Sequence, residues 1–525
     1  MQVFNVFVLS AALAISYSII RYLRNGRRPP LPPGPKGLPI LGNLRDLPTG
    51  GGMEAHHWLK HKQLYGPISS VTTMGQPIII INDADTAFQL LEKRSVKYSS
   101  RPRQIVAGEI IGWQHAVGGS PNNARWRTMR KNMSRIMGTK ATAAQFHKLQ
   151  EAGVGHFLLH LLDTPEQFLD HIKRQTGTSI LKIAYGYVAE SHGMDHLIKI
   201  VGEAMEHFAY ATVPGAFMVD IFPWLRFVPE WMPGVGWKSV ARKWQAELVE
   251  VTDKPYSFTK YQMSRGEHET SFLSRLLEAG DSTDEEKDTN KWSAMSLYAA
   301  GAETTEAALS AFYLALTVSP DVQRIAQEEI DRVVGRDRLP TMADRDDLPY
   351  VDALVKEVYR WYTVVPMGLP HSTTEDDIYE GYFIPKGSFV FANVWHFTHD
   401  PDAHPDPMAF KPERYLDTKG HKPERDPHLF MWGFGRRICP GRILADNLIW
   451  LTIAQSLSVY DVSRAMENGK EITPPVLFQP GAVSHPAPFK SVIKPRSTHH
   501  ENLIKSIEKT YPWQESHGKV LESIV

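Results

Sequence analysis

The order of hydrophobic and polar positions predicts a mainly α-helical protein with a minor β-sheet. A short β-branched run, Ile78–Ile81, is bounded by Pro77 and Asn82 and predicts a strand. The segment Arg101–Pro121 is rich in glycine and apolar residues without clear periodicity, so it is expected to be a loop that can carry binding contacts. The acidic stretch Asp281–Asp288 is expected to be a solvated loop.

The middle and later parts of the chain have mainly helical patterns. Ser319 and Pro320 predict a helix start, with serine as the cap and proline at the first helical position. The turn residues Gly381 and Pro385 interrupt alternating aromatic residues and predict a hairpin. The predicted helices are Lys291–Thr317, Pro320–Val334, Leu348–Tyr362 and Arg442–Ser456, and the predicted hairpin is Tyr379–Ala392.

The first residues predict a membrane anchor. Val3–Ile20 is almost entirely apolar or small, and about 20 such residues span a bilayer as a helix. Four arginines follow directly: Arg21, Arg24, Arg27 and Arg28. Basic residues after the span favour a cytosolic main body, whereas a cleaved secretory signal carries its positive charge before the apolar run. We expect residues 1–24 to form a transmembrane anchor with its basic flank, residues 25–36 a proline-rich hinge, and residues 37–525 one large domain.

Charge and cysteine content exclude several classes of function. Lys+Arg and Asp+Glu are both 58, so the formal net charge is zero and nothing indicates a nucleic-acid-binding protein. The chain has one cysteine, Cys439, which makes an intramolecular disulfide impossible and favours a reducing compartment. Any thiolate chemistry must therefore use Cys439.

The segment Trp432–Gly441, with the sequence WGFGRRICPG, is the strongest candidate for chemistry. Its glycines allow tight turns and a close approach to a flat ligand. Arg436 and Arg437 are expected to place positive charge beside the thiol of Cys439 and so favour the thiolate. A thiolate in such a loop can bind haem iron and promote O–O cleavage, whereas a lone cysteine outside such a loop is usually a buried, inert residue.

A second candidate is the sequence AGAETT at residues 300–305, inside the predicted helix Lys291–Thr317. A glycine in mid-helix costs roughly 1 kcal/mol relative to alanine, so Gly301 needs a reason. We expect it to let a flat cofactor or dioxygen come close, with Glu303 and Thr304 supplying an acid and a hydroxyl that pass protons. An ordinary amphipathic helix surface is the alternative explanation for these residues.

Two helical pairs are weaker signals. Glu357 and Arg360 lie at i and i+3, where an ion pair can form, although such pairs are common on helix surfaces. Trp126 and Arg130 lie at i and i+4 on one face of a helix, a spacing that is also found in many ordinary amphipathic helices.

The motifs together resemble those of the cytochromes P-450. The segment Trp432–Gly441 is similar to the family's haem-binding loop, F-x-x-G-x-R-x-C-x-G, with tryptophan instead of phenylalanine at the first position. The resemblance implies a cytochrome P-450 fold, haem b with Cys439 as the axial iron ligand, and Glu303 and Thr304 as the acid–alcohol pair of an oxygen-binding helix. It also implies cofactor contacts and a structural lock. The implied cofactor contacts are Trp126, Arg130, His371 and Arg437, and the implied lock is Glu357, Arg360 and Arg414.

The resemblance further implies a monooxygenase on the endoplasmic reticulum membrane, with a single membrane pass and a cytosolic haem-thiolate catalytic domain. Electrons would come from NADPH through an NADPH-cytochrome reductase, with cytochrome b5 as a further donor. The segments Phe410–Arg414, Phe478–Gly481 and His500–Glu508 are similar to the O-methylsterigmatocystin oxidoreductase group of fungi, which implies secondary-metabolite biosynthesis.

By the same resemblance, seven uncharged residues are candidate substrate contacts, which implies a small, neutral, fairly flat apolar substrate. They are Ile105, Ile110, Ile111, Ala300, Val365, Met367 and Phe478. Three other functions are considered: a reductase-independent haem-thiolate peroxygenase or isomerase, a haem sensor or carrier, and a cysteine hydrolase. Glu303 and Thr304 argue against the first two, and the sequence identifies no histidine base near Cys439 for the third.

Overall fold

The computed structural model describes residues 28–48, 51–213, 215–280 and 283–524. The predicted transmembrane segment Val3–Ile20 lies outside these residues. Within the described ranges, no helix is both long enough and apolar enough to cross a bilayer.

The fold is mainly α-helical, as predicted. The α-helices of six residues or more are α1 Glu54–Tyr65, α2 Ala124–Met137, α3 His147–Asp163, α4 Phe168–Tyr185, α5 His196–Ala211, α6 Trp237–Arg265, α7 Phe272–Glu278, α8 Asp284–Val318, α9 Pro320–Val333, α10 Pro349–Trp361, α11 Val394–His399, α12 Arg442–Val459, α13 Thr498–Thr510 and α14 Gly518–Ile524. Single helical turns connect several of them, among them the π-helical segments Phe88–Lys93 and Ile105–Ile111 and the 3-10 turns Pro412–Tyr415 and Gly435–Arg437.

Three small sheets accompany the helices. The strands are β1 Ile68–Thr73, β2 Gln76–Ile81, β3 His371–Ser372, β4 Asp377–Tyr379, β5 Tyr382–Ile384, β6 Phe389–Ala392, β7 Tyr460–Glu467, β8 Lys470–Ile472 and β9 Ser491–Pro495. The largest sheet has the order β1-β2-β6-β3, with β2 and β6 parallel and the other pairs antiparallel. The other sheets are the hairpin β4-β5 and the antiparallel sheet β8-β7-β9.

Helix α8 is the central element of the hydrophobic core. Its first half, including Ala294–Ala299, belongs to one large buried cluster, and its second half, including Ala307–Leu316, belongs to another. Helix α4 packs along it, and α2, α10 and α12 also contact it. These two stretches are buried on nearly every side, so α8 fixes the positions of its neighbours.

Several predicted boundaries are wrong, for identifiable reasons. Residues 284–288 of the acidic stretch are helical and not a loop, because α8 begins at Asp284. The Thr283 hydroxyl accepts the Glu286 N–H and the Glu286 carboxylate accepts the Thr283 N–H. Acidic residues in a first helical turn are favourable to the helix dipole. Ser319 precedes α9, but its side chain makes no capping hydrogen bond, so Pro320 supplies the start signal.

The predicted loop Arg101–Pro121 contains the π-helical turn Ile105–Ile111, which is largely buried. The carboxylate of Asp220 accepts hydrogen bonds from the N–H groups of Ile105 and Val106, at the start of that turn. The predicted hairpin is correct for β4 and β5 only. β6, at the end of that range, instead pairs in parallel with β2.

Candidate functional site

The cysteine loop is closed by its own backbone. The N–H of Cys439 donates to the carbonyl of Trp432 at 2.7 Å, and the 3-10 turn Gly435–Arg437 lies between them. Gly435 has φ +52°, and a Cβ there would lie 2.5 Å from the Leu91 carbonyl oxygen. Only glycine fits this position without displacing backbone, so the loop must lie directly against the segment Phe88–Lys93.

The electrostatic surroundings of the thiol differ from the prediction. Burial raises the pKa of Cys439, whereas backbone N–H groups after it and the guanidiniums of Arg130 and Arg442 lower it, and the net direction is upward. Arg436 is exposed and Arg437 points elsewhere, so the predicted activation by these two residues is wrong. A bound metal ion deprotonates a coordinating thiol outright, so the thiolate form here would depend on the metal.

Arg437 is anchored by three backbone carbonyls. Its guanidinium donates to the oxygens of Ser99 at 2.6 Å, Val117 at 3.2 Å and Ser120 at 2.7 Å. The indole of Trp126 lies beneath it, with 4.1 Å between the guanidinium carbon and the ring centroid. These contacts fix the orientation of the planar guanidinium, as is expected for an arginine that binds a ligand.

Buried Arg437 lies in a cluster of cations with the half-buried Arg101 and Arg130. Burial and the charges of Arg101 and Arg130 lower the pKa of Arg437 to about 8, and burial with the charge of Arg130 lowers that of Arg101 to about 10. Across the part of the chain that the structure describes, none of these three arginines forms an ion pair with a carboxylate. Buried charges are normally paired, so the cluster fits an anionic ligand such as the two propionates of haem.

The remaining predicted cofactor contacts lie at the same place. Arg130 donates to the carbonyl of Ile438 at 2.6 Å, which ties α2 to the cysteine loop. His371 is buried and its Nδ1 lies 2.7 Å from the Tyr98 carbonyl oxygen. Burial and the charges of Arg101 and Arg437 lower the pKa of His371 to about 3, so it is neutral unless an anion binds beside it. The indole nitrogen of Trp126 is buried without a hydrogen-bond partner.

Sequence patterns missed Arg101. Its guanidinium donates to the carbonyls of Gly118 at 2.9 Å, Leu369 at 2.9 Å and Pro370 at 2.7 Å. These acceptors come from two distant parts of the chain, and no short motif around Arg101 reveals such an arrangement. The structure therefore adds a third arginine to the predicted pair.

The buried middle of helix α8 is accessible to solvent at one turn. Ala300 is exposed and Gly301–Thr304 is half-buried, although the residues on both sides are buried. Backbone contacts connect this part of α8 to the cation cluster, because the Val117 N–H donates to the hydroxyl of Ser296 while the Val117 carbonyl accepts from Arg437. The buried middle of α8 is therefore interrupted by one accessible turn, Ala300–Thr304.

Gly301 has a different role from the predicted one. A Cβ at Gly301 would lie 2.8 Å from two side-chain carbons of Ile180 on α4. The missing side chain therefore allows α4 and α8 to pack closely and does not make room for a cofactor. Ala300 is the one exposed residue of this turn.

The acid and the alcohol of this turn have separate partners. The hydroxyl of Thr304 donates to the carbonyl of Ala300 at 2.7 Å, within the helix. Glu303 Oε1 lies 3.4 Å from Nε2 of His485, a residue that sequence patterns did not select. The other carboxylate oxygen of Glu303 is buried, with no hydrogen-bond partner among the residues that the structure describes.

The three residues of the predicted lock are in contact and buried. Arg360 Nε and Nη2 donate to the two oxygens of Glu357 at 2.7 and 2.8 Å, and Arg414 Nε lies 3.4 Å from Glu357 Oε1. The backbone N–H of Lys411 donates to the same carboxylate at 2.7 Å. Arg414 also donates to Glu424 at 3.0 Å, so the lock has a second carboxylate that the motifs did not include.

The candidate substrate residues are distributed over several parts of the structure. Ile105, Ile110 and Ile111 lie on the π-helical turn and belong to or pack against the first core cluster. Met367 is buried among residues of the four-stranded sheet. Phe478 packs on the ring of Tyr362, with 4.9 Å between ring centroids. Val365 is half-buried and Ala300 is exposed.

Comparison with known proteins identifies the family. Residues 32–492 match the sequence model of the family described as Cytochrome P450, so the chain belongs to that family. It is 48% identical over 483 residues to cytochrome P450 monooxygenase claR of Ampulloclitocybe clavipes, covering 92% of this chain and 89% of the relative. It is 42% identical over 498 residues to cytochrome P450 monooxygenase ppsD of Aspergillus oryzae, covering 94% of each. O-methylsterigmatocystin oxidoreductase of Aspergillus flavus is 39% identical over 516 residues, which cover 98% of this chain and 97% of that protein.

Family membership defines the coarse chemistry. The chain is a haem-dependent monooxygenase and an oxidoreductase, its cofactor is haem iron, and it takes electrons that derive indirectly from NADPH through a redox partner to oxidise an organic substrate. The predicted mainly α P-450 fold and the predicted haem cofactor are therefore confirmed.

Proposed function

We propose that this protein activates dioxygen with electrons from an NADPH-cytochrome reductase and oxidises a small, neutral, apolar molecule in fungal secondary metabolism. The observation that carries this proposal is the accessible turn in the buried middle of α8, Ala300–Thr304, which contains an acid and an alcohol. A reductase-independent peroxygenase or isomerase has no need to protonate reduced dioxygen, so this pair favours the reductase-dependent reaction.

The cofactor would be held from two sides. Cys439 would be the iron ligand, and the guanidiniums of Arg101, Arg130 and Arg437 would neutralise the two propionates. Haem with a thiolate ligand supplies the oxygen-activating chemistry. Trp126 fixes Arg437 from below, and its indole N–H is available to a carboxylate.

Protons would be supplied from α8. Glu303 has one carboxylate oxygen beside His485 and one buried oxygen without a donor, so it can take up and release a proton within the site. The hydroxyl of Thr304 keeps a fixed orientation through its bond to the Ala300 carbonyl. Glu357, Arg360 and Arg414 would act at a distance, by holding the segment Pro405–Ala409 through its carbonyl groups.

A reconstituted system tests this function. With an NADPH-cytochrome reductase and labelled dioxygen, one labelled oxygen atom per turnover should appear in the product of a neutral polycyclic substrate and the other in water. If the product is an alkene or a coupled ring, both labelled atoms should appear in water. Val365→Phe and Phe478→Ala should change the product ratio at normal haem content, because both residues are accessible side chains of the proposed pocket. A preference for strongly charged substrates, or unchanged product ratios in both variants, would contradict the proposed substrate class.

The proposed domain organisation places an anchor in residues 1–24, a hinge in residues 25–36 and the haem-thiolate catalytic domain in residues 37–525, with the catalytic domain on the cytosolic face of the endoplasmic reticulum. Backbone hydrogen bonds hold the hinge segment against two of the sheets. The carbonyl of Pro33 accepts the Ser70 N–H at 2.9 Å, and that of Pro30 accepts the Phe383 N–H at 2.8 Å. A Cβ at Gly34 would lie 1.8 Å from the Ser70 carbonyl oxygen, so the hinge lies directly on β1.

Membrane association should not depend on residues 1–24 alone. An apolar surface between α5 and α6 exposes Trp224, Phe227 (80% accessible) and Trp231 (82% accessible). Burying an aromatic side chain contributes about 1.5–3 kcal/mol, so Phe227→Ser with Trp231→Ser should lower the vesicle partition constant of protein lacking residues 1–24 by about tenfold or more. Co-sedimentation with phospholipid vesicles measures this.

A matched control uses apolar residues that are exposed elsewhere. Ile378→Ser with Met466→Ser removes two accessible side chains outside this surface, at 54% and 58% exposure, and should leave the partition constant unchanged. Equal effects of the two double variants would mean that the surface between α5 and α6 has no special part in membrane attachment.

A further inference from the structure

The pair of Glu303 and His485 joins two elements that are far apart in sequence. Glu303 is on α8, and His485 lies on the segment Phe478–Pro486, with 3.4 Å between Oε1 and Nε2. Both side chains are partly accessible, His485 at 26% and Glu303 at 20%. The imidazole can therefore exchange protons with water while it touches the carboxylate.

The segment that carries His485 is held by a framework of hydrogen bonds. The backbone carbonyl of His485 accepts the Gln479 N–H at 2.9 Å, and Phe478 and Pro486 form a β-bridge. Ser484 is buried, its N–H donates to the Val364 carbonyl at 2.8 Å, and its hydroxyl donates to the Gln479 carbonyl. These contacts fix the backbone on both sides of His485, so the imidazole has a defined position beside Glu303.

Other charged groups around this pair are mainly acidic. Glu306 follows Glu303 on α8, and burial raises its pKa, while His485 and Lys173 lower it and Glu303 and Asp170 raise it further. Lys173 and Asp170 both belong to α4. Glu306 thus interacts electrostatically with both members of the pair and with two charged groups of α4.

We propose that His485 is a positioning residue that orients the Glu303 carboxylate and transfers protons to it from solvent, which links the Phe478 segment to proton delivery. In this step a hydronium ion of the solvent gives a proton to Nδ1 of the neutral imidazole and leaves as water, and the imidazolium gives the proton on Nε2 to Glu303 Oε1. The imidazole then returns to its first tautomer by exchange with water. No net charge accumulates on His485, and one proton enters the site for each one that Glu303 passes on.

The inference rests on the proposed function, because a proton relay is useful only where reduced dioxygen must be protonated. It goes beyond the acid–alcohol pair in assigning the supply of protons to a side chain outside α8. The buried, unpaired Oε2 of Glu303 is consistent with a carboxylate that takes up a proton at one oxygen and releases it at the other.

Three variants of the full-length protein test the role of His485. His485→Ala removes the imidazole, and His485→Gln keeps a hydrogen-bond donor that cannot exchange protons. The matched control is His499→Gln. His499 lies on the exposed side of α13, and its Nε2 is 3.2 Å from the carboxylate of Asp337. Thermal unfolding should be the same in all three variants, since none of these side chains belongs to the core.

The first readout is NADPH oxidation with the reductase and no added substrate. When proton delivery becomes slow, it limits the rate, so His485→Ala and His485→Gln should oxidise NADPH about tenfold more slowly, with a solvent deuterium isotope effect of about 2 or more. If His485 only positioned Glu303, His485→Gln would keep the wild-type rate of NADPH oxidation. His499→Gln should behave as the wild type in both measurements.

The second readout does not depend on turnover. Hydrogen cyanide binds ferric haem as the anion, so its proton must pass to a base in the site. Cyanide association, followed by absorbance, should slow several-fold in Glu303→Gln and in both His485 variants, and remain unchanged in His499→Gln. Wild-type rates of NADPH oxidation and cyanide association in both His485 variants would overturn the inference.

Failure of the inference and failure of the proposed function give different results. If the wild-type protein lacks a thiolate-type spectrum with carbon monoxide, or does not oxidise NADPH with any reductase, the proposed function itself is wrong. If the wild type behaves as proposed and the His485 variants match it, only the proton relay is wrong.

Discussion

Cys439→Ser should abolish the thiolate-type absorption band of the reduced protein in carbon monoxide. Cys439 is the only cysteine of the chain, so no other thiolate can replace it. A serine hydroxyl is a much weaker ligand, and the loop that the Cys439 N–H closes on Trp432 would still form. Reduced-minus-oxidised difference spectra in carbon monoxide, at matched haem content, measure the loss.

Trp432→Phe is the matched control for this experiment. It keeps an aromatic ring and the backbone carbonyl that accepts the Cys439 N–H, and it restores the residue type of the family pattern. This variant should keep the thiolate-type band, shifted by a few nanometres at most. A serine variant with the wild-type band would show that the iron has another ligand.

Glu357→Ala should prevent stable folding around haem. The change leaves Arg360 buried without its carboxylate and removes the acceptor of the Lys411 N–H. Breaking a buried ion pair on one side costs about 3–5 kcal/mol, a large part of the about 5–15 kcal/mol that stabilises a typical protein. Haem content of purified protein and the midpoint of urea unfolding measure the effect.

An exposed pair of the same type provides the control. Glu328 accepts from Arg324 at 2.7 Å on the surface of α9, with both side chains at least 60% exposed. Exposed pairs of this kind contribute about 0.3–0.5 kcal/mol, so Glu328→Ala should keep its haem and its unfolding midpoint. A haem-loaded, stable Glu357→Ala protein would contradict the structural role of the lock.

Sequence patterns predicted the elements whose signals are local. The cores of α8, α9, α10 and α12 follow from their apolar spacing, and β2 follows from four consecutive isoleucines. The π-helical turn Ile105–Ile111 was not predictable in this way, because Asp220, more than a hundred residues later, accepts its first two N–H groups. The start of α8 was predictable from the capping pair Thr283 and Glu286, which the acidic composition obscured.

The candidate site divides in the same manner. Residues of the local motifs meet partners from other parts of the chain. Glu357, which pairs with Arg360, also contacts Arg414. Trp126, which shares a helix face with Arg130, packs against Arg437. Arg101, Glu424 and His485 stand in no motif and were missed, since only folding brings them to the site. Gly301 was selected for the wrong reason, because the residue that it faces, Ile180, is on another helix.

The three clustered guanidiniums also have a consequence for how much of this protein a cell accumulates. A ligand with two carboxylates that binds only the folded chain stabilises it by mass action. Chains synthesised faster than haem is made would remain in the less stable form, which intracellular proteases degrade. The amount of protein at steady state should therefore follow the rate of haem synthesis rather than the amount of messenger RNA, and recombinant yield should rise when a haem precursor is added to the growth medium.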